Sequence, residues 1–189
     1  MGRAHDVLVV GAGIVGAASA LALRREGMRV ALIDANSPGC GVTAAGMGHL
    51  VALDESDDEL DLCLLSLRLW RDFFAAHPGV GEASPCGTVW VAENEAQLAQ
   101  ASHRGQRLAA RALDVELLDG ARLARLEPSL RAGLCGGLLV TGDSVVYPPA
   151  VADFLARQLV AEGGSLFAGA RVVSVEDGGV MLANGERLA

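Results

Sequence analysis

The chain has 189 residues, enough for one sizeable domain or one domain with part of another, and a chain of this size buries roughly 70% of its unfolded surface. Hydrophobic residues make up 51% of it, which excludes a disordered polypeptide. Lys and Arg number 15 against 23 Asp and Glu, and the resulting net charge of −8 argues against nucleic acid, which selects a basic face.

Residues 7–23 carry no charge, follow Arg3, and contain Ala20-Leu21-Ala22, which mimics a small-residue cleavage site. A signal peptide reads much like this. Three glycines at fixed spacing interrupt the run, however, and a charged helix end with a second apolar run follows directly. The run is also short for a membrane span, which needs about 20 residues. The Met1-Gly2 start fails the myristoylation pattern, because Asp6 stands where Ser or Thr is required.

Asp6-Val7-Leu8-Val9-Val10 predicts a buried strand, and Gly11-Ala12-Gly13-Ile14-Val15-Gly16 follows at once. Ala17 to Arg25 is rich in helix formers, Gly27 ends that helix, and Arg29 to Ile33 predicts a second strand closed by Asp34. In this order the glycines have separate jobs. Gly11 permits the turn, Gly13 lets backbone approach a pyrophosphate, and Gly16 lets the helix pack close to the strand. The helix N-terminus offers N–H groups and partial positive charge to phosphates. Asp34 suits a ribose hydroxyl and disfavours a 2′-phosphate. A Rossmann-like dinucleotide site is expected, with FAD and NAD both open at this point.

Residues 38–50, Pro38-Gly39-Cys40-Gly41-Val42-Thr43-Ala44-Ala45-Gly46-Met47-Gly48-His49-Leu50, form a second glycine-rich segment. Small residues at this density imply close backbone approach to a cofactor, a surface loop being the alternative. His49 is the candidate catalytic residue, since an imidazole titrating near neutrality suits a proton relay; a structural His is the competing reading.

Asp57 to Phe74 predicts an amphipathic helix with Cys63, Leu67, Trp70 and Phe74 on a core-facing stripe. Thr88 to Ala92 predicts a strand, Glu93 to Ala112 a helix with Gly105 as a weak point, and Ala121 to Leu126 a helical turn ended by Glu127-Pro128. Leu138 to Val140 and Val145 to Tyr147 read as strands around Gly142-Asp143, and Pro149 opens a helix running to about Glu162. Leu166-Phe167, Val172 to Val175 and Val180 to Leu182 return to strands, with Asn184-Gly185 a hairpin signal. The four cysteines, Cys40, Cys63, Cys86 and Cys135, form no CxxC pair and no zinc spacing with His, so reduced and mostly buried thiols are expected and no metal site.

Asp6 to Gly16, Asp34 and above all Thr43-Ala44-Ala45-Gly46-Met47 resemble the FAD-dependent D-amino acid oxidase superfamily, nearest to glycine oxidase, the D-hydroxyproline dehydrogenases and the catalytic subunit of opine oxidases. Weaker matches continue at Ser66 to Trp70, Glu127-Pro128, Val146-Tyr147-Pro148 and Ala170 to Val173. The resemblance implies that Gly11, Gly13, Ile14, Val15 and Gly16 hold the pyrophosphate of FAD, with Asp34 and the adjoining Ala35 at the adenosine ribose. It implies that Thr43 and Ala44 help hold the diphosphate, that Gly46, Met47 and Gly48 run past the isoalloxazine ring, and that Val172 meets the adenine through its backbone.

The fold expected is α/β: a Rossmann-like FAD-binding domain in two segments, 1–79 and 149–189, with part of an inserted antiparallel substrate region, 80–148. The implied activity is oxidation of the C–N bond of a small D-amino or imino acid by hydride transfer to flavin. Oxygen, a quinone or a partner subunit takes the electrons, and the location is cytoplasmic or peripheral at the inner face of the membrane. Relatives of this kind add a further strand and substrate-binding residues beyond this point, so a truncated FAD-binding fragment is one alternative. An NAD-dependent dehydrogenase is another, although it leaves residues 43–48 unexplained.

Overall fold

The computed structural model describes residues 5–52 and 56–189. The uncharged run after Asp6 divides into strand β1, Val7–Val10, and helix α1, Ile14–Arg25, so the signal-peptide alternative gives way to a folded strand and helix. Arg3 and the Met1-Gly2 start lie outside the described residues. Strand β2 is Val30–Asp34, helix α2 is the single turn Val42–Ala45, and β3 is the short strand His49–Leu50. Helix α3 spans Asp57–Ala76. Ser56 caps it by accepting the Glu59 N–H at 3.1 Å, and Asp57, Asp58 and Glu59 complement the positive end of its dipole. Val80–Glu82 makes one 3₁₀ turn.

Strand β4, Thr88–Ala92, occupies the expected residues. Helix α4 covers Glu95–Ala110, within the expected Glu93 to Ala112, because Asn94 sets its start. The Asn94 side chain accepts the Gln97 N–H at 3.0 Å while Gln97 Oε1 accepts the Glu93 N–H at 2.7 Å, a reciprocal cap. Strand β5, Val115–Asp119, was not anticipated; it leads into α5, Gly120–Leu126, where Asp119 accepts the Arg122 N–H at 2.7 Å. Strand β6 is Gly136–Val140 and β7 is Ser144–Val145, shorter at its end than expected because Tyr147 already caps α6, Pro148–Ala161. Strands β8, Ser165–Ala168, β9, Val172–Glu176, β10, Gly179–Leu182, and β11, Arg187–Leu188, complete the order. Asn184-Gly185 turns the last hairpin, with Gly185 at φ +84°. Among the described residues no helix is long and apolar enough to cross a membrane.

The chain forms two compact units. The first takes the chain up to Gly48, the turn Val80–Glu82, and Tyr147–Ala189. Its centre is the parallel sheet β1-β2-β8, in which β2 is buried from Val30 to Ile33. Ala31 and Ile33 pack with Val180, Leu182 and Leu188 of the antiparallel meander β9–β11. Strand alternation turns Val30 and Leu32 to the opposite face. Helices α1 and α6 pack against each other, and the residues they bury include Ala17, Ala20, Ala152 and Ala156, whose small side chains permit close approach.

The second unit takes His49–Gly79 and Ala83–Val146. The antiparallel sheet β4-β6-β5 forms its frame, and β3 pairs with β7. The expected boundary at 79/80 therefore moves to 48/49. The cause is Leu60 of α3, which is buried with Leu108, Leu138 and Val140 of this unit rather than with the parallel sheet. Gly105, expected as a weak point, is buried: a Cβ there would lie 2.9 Å from Leu138 Cδ1, so glycine lets α4 settle on β6. Two other expectations are corrected. The stripe Cys63, Leu67, Trp70 and Phe74 is only half-buried, since α3 commits Leu60 to the core and turns part of that stripe to an open cavity. The free cysteines are not buried either, Cys40 and Cys86 being exposed because both lie outside helices and strands.

Among the described residues one carboxylate enters the second unit's interior. Asp143 is 2% exposed, and its Oδ1 accepts the Ala52 N–H at 3.2 Å. Burial pushes its carboxyl above the ordinary 3.8, against the Thr88 hydrogen bond, the Ala52 N–H and the positive groups of Arg104 and His49. A group raised in the folded state contributes stability that is full below its unfolded pKa and is lost as pH rises through the folded pKa. Urea unfolding of the wild type and Asp143→Asn should therefore show the difference moving in the wild type's favour as pH falls from neutrality through the carboxyl range. A difference that stays constant with pH would overturn this assignment.

Candidate functional site

The first unit gathers its glycines where β1 and β2 end. Gly11, at φ +105°, turns the chain out of β1 and donates its N–H to Ile33 O at 2.7 Å. Such a backbone angle is readily adopted only by glycine. Ala12 is buried, its N–H donating to Asp34 Oδ2 at 2.7 Å and its carbonyl accepting from Gly39 N at 2.9 Å. Asp34 Oδ1 accepts the Asn36 N–H at 2.7 Å. The acid at the tip of β2 thus fastens the glycine loop to its own strand. Each carboxylate oxygen has a second lone-pair site for a hydroxyl donor. Ala35 beside it is half-buried.

Gly13 is the N-cap of α1 and supplies no side chain for the first turn. Thr43 of α2 does so from a distance, its Oγ1 accepting the Ile14 N–H at 3.1 Å. A Cβ on Gly13 would stand 2.8 Å from that hydroxyl, and a Cβ on Gly16 would stand 1.8 Å from Gly11 O. The first turn of α1 carries no acid, so its positive end is not neutralised. Around this loop lie apolar side chains that the first unit leaves uncovered: Val15 is 76% exposed, Val42 90% and Met47 79%. Ala44 and Gly46 are exposed, and Gly48, at φ +72°, is half-buried. Backbone without side chains, an unneutralised helix end and uncovered apolar groups fit the pyrophosphate and ring of a dinucleotide.

The structure brings Gly11, Gly13, Ile14, Gly16, Asp34 and Thr43 together. Val172 begins β9, and its side chain packs on the cluster of Ala31 and Ile33. His49 is the first residue of the second unit, exposed, and paired in register with Val145. The sequence reading missed Asn36 and Gly39, which hold the loop from outside. Gly39 had a legible signal, since it stands in the glycine-rich segment. A Cβ there would lie 2.7 Å from Pro149 O.

These features define a dinucleotide-binding βαβ unit. The chain matches the family DAO, FAD dependent oxidoreductase, over residues 6–188, and it belongs to that family. FAD is accordingly its cofactor, and the NAD alternative gives way. L-2-hydroxyglutarate dehydrogenase of Salmonella houtenae is 28% identical over 92% of this chain and 42% of its own length. Glycine oxidase of Bacillus licheniformis is 26% identical over 93% of this chain and 48% of its own. The crystal structure of iminodiacetate oxidase from Chelativorans sp. BNC1 superposes with a TM-score of 0.80 at 27% identity, covering 97% of this chain and 53% of that one. The chain thus spans about half the length of the relatives it matches.

Thr43→Val removes the acceptor of the Ile14 N–H while keeping the side chain's shape. The bond is part-buried and worth about 0.5–1.5 kcal/mol, so FAD affinity should fall about two- to tenfold, with Thr43→Ser retaining it. Ultrafiltration of each variant with added FAD reads this directly. Equal retention by Thr43→Val and the wild type would remove Thr43 from the site.

Proposed function

We propose that this chain forms the flavin-cradling part of an enzyme that oxidises the C–N bond of a small D-amino or secondary amino acid. The observation that carries the proposal is the cradle in the first unit, where Gly13, Gly16, Thr43 and Asp34 leave backbone and hydrogen-bonding groups free of bulk. The naming of glycine and iminodiacetate in the relatives supports the substrate class.

On this reading Gly11 to Gly16 and the N-terminal end of α1 bind the pyrophosphate, and Thr43 and Ala44 steady the diphosphate. Asp34 and Ala35 orient the adenosine ribose, and Val172 offers backbone to the adenine. Gly46, Met47 and Gly48 pass along the isoalloxazine and shield it from water. When bound, FAD supplies the hydride acceptor. His49 follows Gly48 directly in the chain and relays the proton that the substrate amine gives up. A quinone or a partner subunit in the cytoplasm, or at the inner face of a membrane, then takes the electrons. A 2-hydroxy acid is the second reading, favoured by the likeness to L-2-hydroxyglutarate dehydrogenase. An FAD-binding subunit without turnover of its own is the third.

The purified chain should show flavin absorbance and release FAD on heating. Anaerobic mixing with glycine, sarcosine, iminodiacetate, D-alanine, D-proline and 2-hydroxyglutarate then ranks the readings. Bleaching by the amines alone supports the proposal; bleaching by the hydroxy acid alone replaces it with the second reading. A chain that holds FAD and is bleached by none of them supports the third. His49→Ala should slow the bleaching without loss of bound FAD, and an unchanged rate would take His49 out of the reaction.

A further inference from the structure

The second unit carries an open cavity of about 530 Å³, a size typical of small-molecule sites. Leu64, Leu67, Trp70 and Phe74 of α3 form one wall, and Leu50 and Leu113 lie among its other lining residues. The Trp70 and Phe74 rings stack, with centroids 5.4 Å apart and planes 19° from parallel. These are large side chains that an ordinary core would seal, yet here they remain half-buried.

The polar part of the lining is one-sided: among the described residues Arg68, Arg71 and Arg111 contribute, and no Asp or Glu does. Arg111 already pairs with Asp61 and, at 3.5 Å, with Asp57. Arg68 and Arg71 make no ion pair or hydrogen bond among the described residues. Both are exposed at the cavity's rim, so among the described residues two guanidinium groups without carboxylate partners border an apolar cavity. Ser84 and Ser144 add hydroxyls to the same lining. Guanidinium groups bind carboxylates bidentately and stack on aromatic faces, and aromatic walls take up a flat apolar body.

We infer that this cavity is a ligand site for a small carboxylate with an aromatic body, its charge held by Arg68 and Arg71 and its ring against Trp70 and Phe74. The site lies wholly within the second unit and uses none of the residues assigned to FAD. Its occupancy does not depend on the amine-oxidising activity proposed above.

The test uses 3-phenylpropionate and its uncharged amide. The chain has two tryptophans. Trp70 lines the cavity, whereas Trp90 lies under the Arg104 guanidinium, 3.8 Å from the ring centroid. Trp90→Phe therefore leaves Trp70 as the reporter, and calorimetry on the unaltered chain gives an independent reading. The acid should quench Trp70 and bind with a Kd below about 1 mM, at least about tenfold tighter than the amide. Arg68→Gln with Arg71→Gln should weaken the acid about tenfold and leave FAD retention unchanged. Equal binding of acid and amide, or no binding of either by calorimetry, would overturn the site. Undiminished binding by the folded double variant would overturn the role of the two arginines. The acid–amide comparison needs no variant, so a double variant that failed to fold would not rescue the inference.

Discussion

A methyl group at position 16 would lie 1.8 Å from the carbonyl oxygen of Gly11, closer than any two such atoms can stand. The start of α1 is therefore pressed against the turn that leaves β1, and much of the first unit follows from that approach. It brings the helix N-terminus to the end of the sheet. It also sets Ala12 where its N–H reaches the Asp34 carboxylate and its carbonyl receives Gly39. The loop is held from three sides by backbone and short side chains, which leaves its open side free of bulk.

Asp34 has a structural task in the loop, separate from the ribose contact proposed for it. Both of its oxygens accept backbone N–H groups, so the acid is part of the loop's architecture. Thr43 does the same at the other side, completing the first turn of a helix to which it does not belong. A substitution at either position changes the shape of the site as well as its chemistry.

The first unit was largely legible in the sequence because its signals are local. An apolar run, three spaced glycines, an alanine-rich helix and an acid at the next strand's end all act within a few residues of each other. The Asn184-Gly185 hairpin and the Pro148-Pro149 helix start are local in the same way. The misreadings share another cause. Gly105 looks like a helix breaker until Leu138, from a distant strand, is placed against it. Likewise Leu60 assigns α3 to the second unit only through partners far along the chain. Val115–Asp119 escaped notice because V-E-L-L-D lacks clear alternation, and only pairing with β6 makes it a strand. His49 could be chosen as a candidate from its chemistry, but its exposure and its pairing with Val145 are properties of the ladder.

The parallel sheet has one further consequence, which concerns synthesis rather than chemistry. Ile33 and Asp34 lie in register with Phe167 and Ala168, and the whole second unit is spelled out between them. On a ribosome, β1, α1 and β2 emerge before the second unit and before β8, with one flank of β2 unpaired. The second unit ends at Val146, so all of it is synthesised before β8. Long-range parallel pairing is slow because loop closure precedes its reward, and an unpaired strand flank invites the wrong neighbour. A compact insert leaves a shorter effective loop to close between β2 and β8 than the same residues unfolded would.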